Sequence, residues 1–182
     1  MGLIRKERGF TRPKPKRRDY RQNPQRVAEW QEKILPELKT TAVAENRRIF
    51  YVDESAFYGL PQPGPTWAPA GQTPILREGC QSAHWSVISA ISSQGHIYYQ
   101  LQRTSYTGSE IAKFIRDLCQ LNPQPLLIIW DGASIHRSQE VKDFLCTDNH
   151  EGRVQLAILP AYSPQLNAAE QVWAWLKGGQ LK

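Results

Sequence analysis

Between Leu126 and His136 the chain reads LLIIWDGASIH, four aliphatic residues and a tryptophan running straight into an aspartate and a glycine. The segment from Pro125 to Trp130 has no polar alternation, the pattern of a parallel strand covered on both faces. Asp131 therefore stands where a buried strand opens to solvent. A carboxylate in that place is either a turn former or a metal ligand.

The flanking segments give the strand its neighbours. Upstream, SEIAKFIRDLCQL puts Ile111, Phe114, Ile115 and Leu118 on one helical face, with Ser109 as the expected cap. Downstream come a helix over Ser138 to Leu145, a strand in VQLAIL, and a last helix from Ala168 to about Lys177. Earlier, Ile49 to Val52 in RRIFYVDESAF reads as a strand closed by Asp53, and a loop rich in Pro and Gly follows as far as Pro74. His84 to Ile91 and His96 to Leu101 are strand-like runs joined by SSQG, a hairpin signal. Before them all, Gln25 to Ala44 reads as a helix carrying Val27, Trp30, Ile34 and Leu38, limited or kinked by Pro36. This order predicts an α/β fold, a mixed five-stranded sheet formed by a three-strand meander and then a βαβ unit, flanked by helices.

At 182 residues the chain suits one domain with an arm. The net charge of +6 is concentrated at one end: ten basic residues against two acidic ones lie between Arg5 and Arg26, more than the whole excess. Residues 1–24 are expected to be a basic arm, with Arg12, Lys14, Lys16, Arg17, Arg18 and Arg21 contacting DNA. Polyphosphate is its natural partner because counterion release drives such binding; a solubilising tail is the plain alternative. Residues 25–182 form the expected folded body. No apolar run approaches the ~20 residues that cross a bilayer, and the charged start is unlike a signal peptide, so no membrane partner and a cytoplasmic location are expected. Cys80, Cys119 and Cys146 show no CxxC pairing and imply neither a disulfide framework nor a zinc knuckle.

Three carboxylates draw the argument together. Asp53 closes the first strand, Asp131 the fourth, and Glu170 lies in the first turn of the last helix. Strands one and four would be central neighbours, bringing Asp53 and Asp131 to one edge. Two or three such oxygen donors can hold a pair of Mg²⁺ ions about 3.5–4 Å apart around a phosphoryl displacement. Each acid also has a structural explanation: Asp131-Gly132 suits a turn, Asp53 could be another, and Asn167 with Glu170 has capping-box spacing. No Gly-rich phosphate loop, GxSxG or Cys–His pair favours other chemistry.

The phrases YVDES, TWAPAGQTP, WDGASIH and LPAYSPQLNAAEQVWAWLK, in this order, resemble the catalytic domain of DDE transposases of the mariner superfamily, in its bacterial insertion-sequence branch. The resemblance covers Arg48 to Lys177. It implies a ribonuclease-H-like fold, a DD(E/D) triad of Asp53, Asp131 and Glu170 binding two Mg²⁺ ions, with Mn²⁺ able to substitute, and cutting and joining of DNA. His136 and Asn167 would neighbour the active site, and Trp67 would belong to a clamp loop gripping a partner subunit. The expected partners are element ends, target DNA, and a second copy or a fuller-length transposase. Gly132 stands where the family often has Asn, and Ala168-Ala169 where it often has Pro; neither departure replaces a ligand.

The family's relatives carry helix-turn-helix modules before the arm and further helix after the last acid, so the sequence reads as a split, frameshifted or decayed frame. Two other readings compete. One is a catalytically silent fragment acting as a DNA-binding or subunit-interaction protein; the other is a structure-specific nuclease on the same fold.

Overall fold

The computed structural model describes residues 19–58, 68–69, 71–72, 75, 84–149 and 152–177. Arg12, Lys14, Lys16, Arg17, Arg18 and Trp67 lie outside the described residues. Five strands form one sheet in the order β3-β2-β1-β4-β5: β1 (Arg48–Tyr58), β2 (His84–Ser92), β3 (Ile97–Gln102), β4 (Leu126–Trp130) and β5 (Val154–Ile158). The first three pair antiparallel, and β4 and β5 join in parallel. The expected meander and βαβ unit are both present.

β1 is longer than its sequence promised. It does not end at Asp53 but continues to Tyr58, because β2 pairs with it along the whole length, from Phe50 opposite Ser92 to Tyr58 opposite His84. Only the parallel partner stops early, at Tyr51 opposite Ile129. Asp53 is thus mid-strand on one side and uncovered on the other.

Side-chain parity sorts the core into two layers. Phe50, Val52, Ile128 and Trp130 face α3 (Gly108–Leu121) and α4 (Gln139–Asp143). Ile49, Leu127, Ile129 and Ala157 face the amino-terminal helices α1 (Pro24–Glu29) and α2 (Leu35–Ala44) through Trp30 and Ala42. All five β4 side chains are fully buried, each contributing roughly 1.5–3 kcal/mol.

Local chemistry fixes the helix ends. α3 begins two residues earlier than Ser109 would dictate: Thr107 caps it, accepting from the Glu110 amide while the Glu110 carboxylate accepts from the Thr107 amide at 2.7 Å. Between α1 and α2 the helix widens into a π turn at Trp30–Ile34. Pro36 has no amide to donate and its ring crowds the preceding carbonyls, so the wider turn lets the helix continue through the point where a limit or kink is expected. The last helix, α5 (Ala168–Trp175), rests on β1 and β2. Among the described residues, no helix is long and apolar enough to cross a membrane.

Candidate active site

The register decides where the acids fall. Tyr51 lies opposite Ile129, and two residues further along each strand stand Asp53 and Asp131. In a parallel pair, level residues point to the same face, and neighbouring strands lie about 4.8 Å apart. The two carboxylates therefore share one edge. Asn167 brings in the third: its Nδ2 donates to the Val52 carbonyl at 3.1 Å, and its Oδ1 accepts from the Ala169 amide at 3.1 Å. One side chain thus caps α5 and ties its start to the strand beside Asp53. Asp53, Asp131 and Glu170 line a common cleft of about 420 Å³, together with Arg137, Tyr162 and Ser163.

Burial and mutual repulsion shape the charges. Asp53, 9% exposed, has its carboxyl pushed up to about 7, first by loss of water and then by the negative charges of Glu170 and Asp131. The Trp173 indole opposes the shift by donating to Asp53 Oδ2 at 3.0 Å. Asp131 is held below the ordinary carboxylate range, chiefly by its bond to His136 and also by the Ala133 amide at 3.0 Å.

His136 is buried between two acids. Its Nε2 lies 2.8 Å from Glu54 Oε1 and its Nδ1 2.9 Å from Asp131 Oδ1, while its ring stacks on Trp130 at 4.3 Å and 3°. Burial alone would lower its pKa, but the bonds to Asp131 and Glu54 outweigh it and push the imidazole up to about 10. Both nitrogens then donate, and His136 is an imidazolium rather than a metal ligand.

Three carboxylates in one partly desolvated cleft are the donor chemistry of a hard divalent cation. Among the described residues, no three His, Cys, Asp or Glu side chains converge on one point as a finished cage. Trp173 and His136 hold two of the carboxylates, so the site is an acid-lined cleft whose oxygens are steered by neighbours.

A profile of the family described as DDE superfamily endonuclease matches residues 48–182. The chain belongs to that family. No curated protein matches. Among solved structures, this DDE endonuclease chain is similar to the Mos1 strand transfer complex, with TM-score 0.67, 20% identity, and 99% of this chain and 55% of that one covered. The Mos1 mariner paired-end complex with Mn gives TM-score 0.67 at 20% identity, covering 99% and 56%. The isolated Mos1 catalytic domain gives 0.58 at 19%, covering 93% and 76%. The chain thus spans about half the length of the full Mos1 chains it matches. At such identities the likeness establishes the ribonuclease-H-like fold.

Of the residues singled out in the sequence, the structure brings Asp53, Asp131, Glu170 and Asn167 to the cleft and seats His136 against Asp131. The carboxylate of Glu170 is part of the cleft wall, and Asn167 does the capping through Ala169. Arg21, the one described member of the basic set, forms a bidentate pair with Asp19. Sequence reading missed Glu54, Trp173 as a partner of Asp53, and Arg137 and Tyr162 in the cleft wall. For Glu54 the signal lay in strand parity: beside Asp53, it must point to the opposite face, where the turn after β4 carries His136.

Proposed function

We propose that this DDE endonuclease chain cuts and joins DNA as the catalytic domain of a transposase of the mariner superfamily, in its insertion-sequence branch. The observation that carries the reading is the cleft shared by Asp53, Asp131 and Glu170. The fold likeness to Mos1 structures described as paired-end and strand transfer complexes, two of them with Mn or Mg, supports it.

Asp53, Asp131 and Glu170 would hold the divalent cations, two Mg²⁺ with Mn²⁺ able to replace them. When bound, these supply Lewis-acid polarisation of the phosphate and activation of the attacking oxygen. The remaining work belongs to the chain. Asp53 gives up its proton to become a ligand, and the Trp173 N–H orients the carboxylate. His136 keeps Asp131 ionised and fixes its rotamer. Arg137, the cation among the residues of the cleft wall, faces incoming phosphate. Water then opens a phosphodiester to leave a 3′-hydroxyl, and that hydroxyl attacks a target strand, giving a new phosphodiester and a displaced 3′-oxygen. The arm holds DNA, a second copy or a fuller-length transposase completes the assembly, and the cytoplasmic nucleoid is the place of action.

The test is nicking of supercoiled DNA by the purified chain with Mg²⁺ or Mn²⁺. Nicking is expected from the wild type and absent from a folded Asp131→Ala variant; equal nicking by that variant rejects the reading.

A further inference from the structure

The described end of the basic arm is fastened to the cleft wall. Gln22 Nε2 donates to the Tyr162 carbonyl at 2.7 Å and lies 3.3 Å from both Ser163 Oγ and Gln165 Oε1, contacts spanning some 140 positions of sequence. Beside it, the Arg21 guanidinium sits 4.0 Å from the centre of the Tyr162 ring. Asp19 grips the same guanidinium, Oδ1 accepting from Nε at 3.0 Å and Oδ2 from Nη2 at 2.8 Å. Arg21 is therefore oriented before any DNA arrives, and its fork is turned toward protein.

The receiving turn is unusual. Tyr162 has φ 58, left-handed backbone that a bulky side chain adopts only when its surroundings impose it. Tyr162 and Ser163 also line the cleft that holds Asp53, Asp131 and Glu170. The strained turn thus joins the site's wall to the root of the arm. Arg12 to Arg18 are within seven residues of Asp19, a tether of at most about 25 Å.

We propose that Arg21, Gln22 and Tyr162 form a positioning pin, which anchors the basic arm at the cleft so that a DNA strand held by the arm enters at one fixed register. The inference rests on the DNA-cleaving reading above. Basic side chains bind the backbone without sequence preference and cannot by themselves choose which phosphodiester meets the carboxylates. An anchor at the wall makes that choice geometric, and displacement by about 1 Å can cost on the order of 100-fold in rate.

Gln22→Ala and Arg21→Lys test the pin in the full chain, because neither changes net charge while each removes a pinning contact. Lysine keeps the cation but loses the planar fork that grips Asp19 and stacks on the ring. Affinity for a DNA duplex and its salt slope are expected within about twofold of wild type, since the phosphate contacts persist. The nicking rate at saturating DNA is expected to fall on the order of 10- to 100-fold, with cut positions spreading over several phosphodiesters. Wild-type rates and cut positions in both variants overturn the pin, as does a rate loss wholly explained by weaker binding. Asp131→Ala runs beside them: if it still nicks, the cleavage reading fails, whereas its silence with unaffected pin variants sinks the pin alone.

Discussion

The Trp173 indole donates to Asp53 Oδ2 at 3.0 Å, linking two buried residues 120 positions apart. This bond opposes the burial and repulsion that drive the Asp53 carboxyl upward. Trp173→Phe removes the donor and keeps an aromatic ring near Phe57, which now packs edge-on against Trp173 at 5.9 Å. We expect a stability loss of about 1–2 kcal/mol and an alkaline displacement of the acid limb of the nicking profile. An unchanged profile from pH 6 to 9 would contradict the role given to the indole.

Metal and proton compete for Asp53. Its folded pKa, about 7, stands above the unfolded value of 3.8, so the protonated form favours the fold. That contribution is complete below pH 3.8 and is lost as pH rises through about 7; the corresponding ceiling is about 4 kcal/mol. Metal-free protein should lose melting temperature over this interval, and Mg²⁺ should restore more of it at pH 8 than at pH 5. Calorimetry with and without Mg²⁺ measures both, and a metal effect independent of pH would refute the linkage.

His136 should remain charged well above neutrality. Its folded pKa of about 10 exceeds the ordinary 6.5, so its stabilisation is complete below 6.5 and declines as pH climbs through about 10. Removing the imidazole leaves Glu54 and Asp131 without their shared cation, and His136→Ala is expected to cost about 3 kcal/mol. Glu54→Gln should lower the His136 pKa while leaving Asp131 engaged. Imidazole ¹⁵N shifts recorded across pH 6–11 read this directly; titration near 6.5 in the wild type would dismantle the clamp.

Neutralising Lys14, Lys16, Arg17 and Arg18 to Gln should weaken binding to every duplex alike. Each lost phosphate contact reduces the slope of log K against log salt by about 0.9. Anisotropy titrations from 50 to 200 mM salt provide the slopes, and a slope equal to wild type would show that these four side chains do not touch DNA.

Much of this is legible in the sequence. β4 and Asp131 could be read because a doubly covered strand has an uninterrupted apolar sequence and a sharp end. Asp53 reads as a strand terminus, but pairing with β2 carries the strand on to Tyr58, and the acid is left open on one side because the parallel pairing stops at Tyr51 opposite Ile129. Ser109 looks like the α3 cap in the sequence, but Thr107 with Glu110 has the capping-box spacing and takes that place. Of the clamp formed by Glu54, His136 and Asp131, strand parity shows only which face Glu54 takes; the pairing itself is not legible, because 82 positions separate Glu54 from His136.

β4 has a consequence for how such a site persists. Since Leu126 to Trp130 are all apolar and all fully buried, sliding the strand by one residue would trade one greasy side chain for another, yet it would turn Asp131 away from Asp53. Apolar character alone does not exclude that error, although the stack of Trp130 on His136 resists it. Polar fastenings at the strand's entrance add to the alignment: the Arg48 amide donates to the Pro125 carbonyl at 2.8 Å and the Arg48 side chain donates to Asn122 Oδ1 at 2.7 Å. Damage there would disable the carboxylates from a distance, although it touches neither of them.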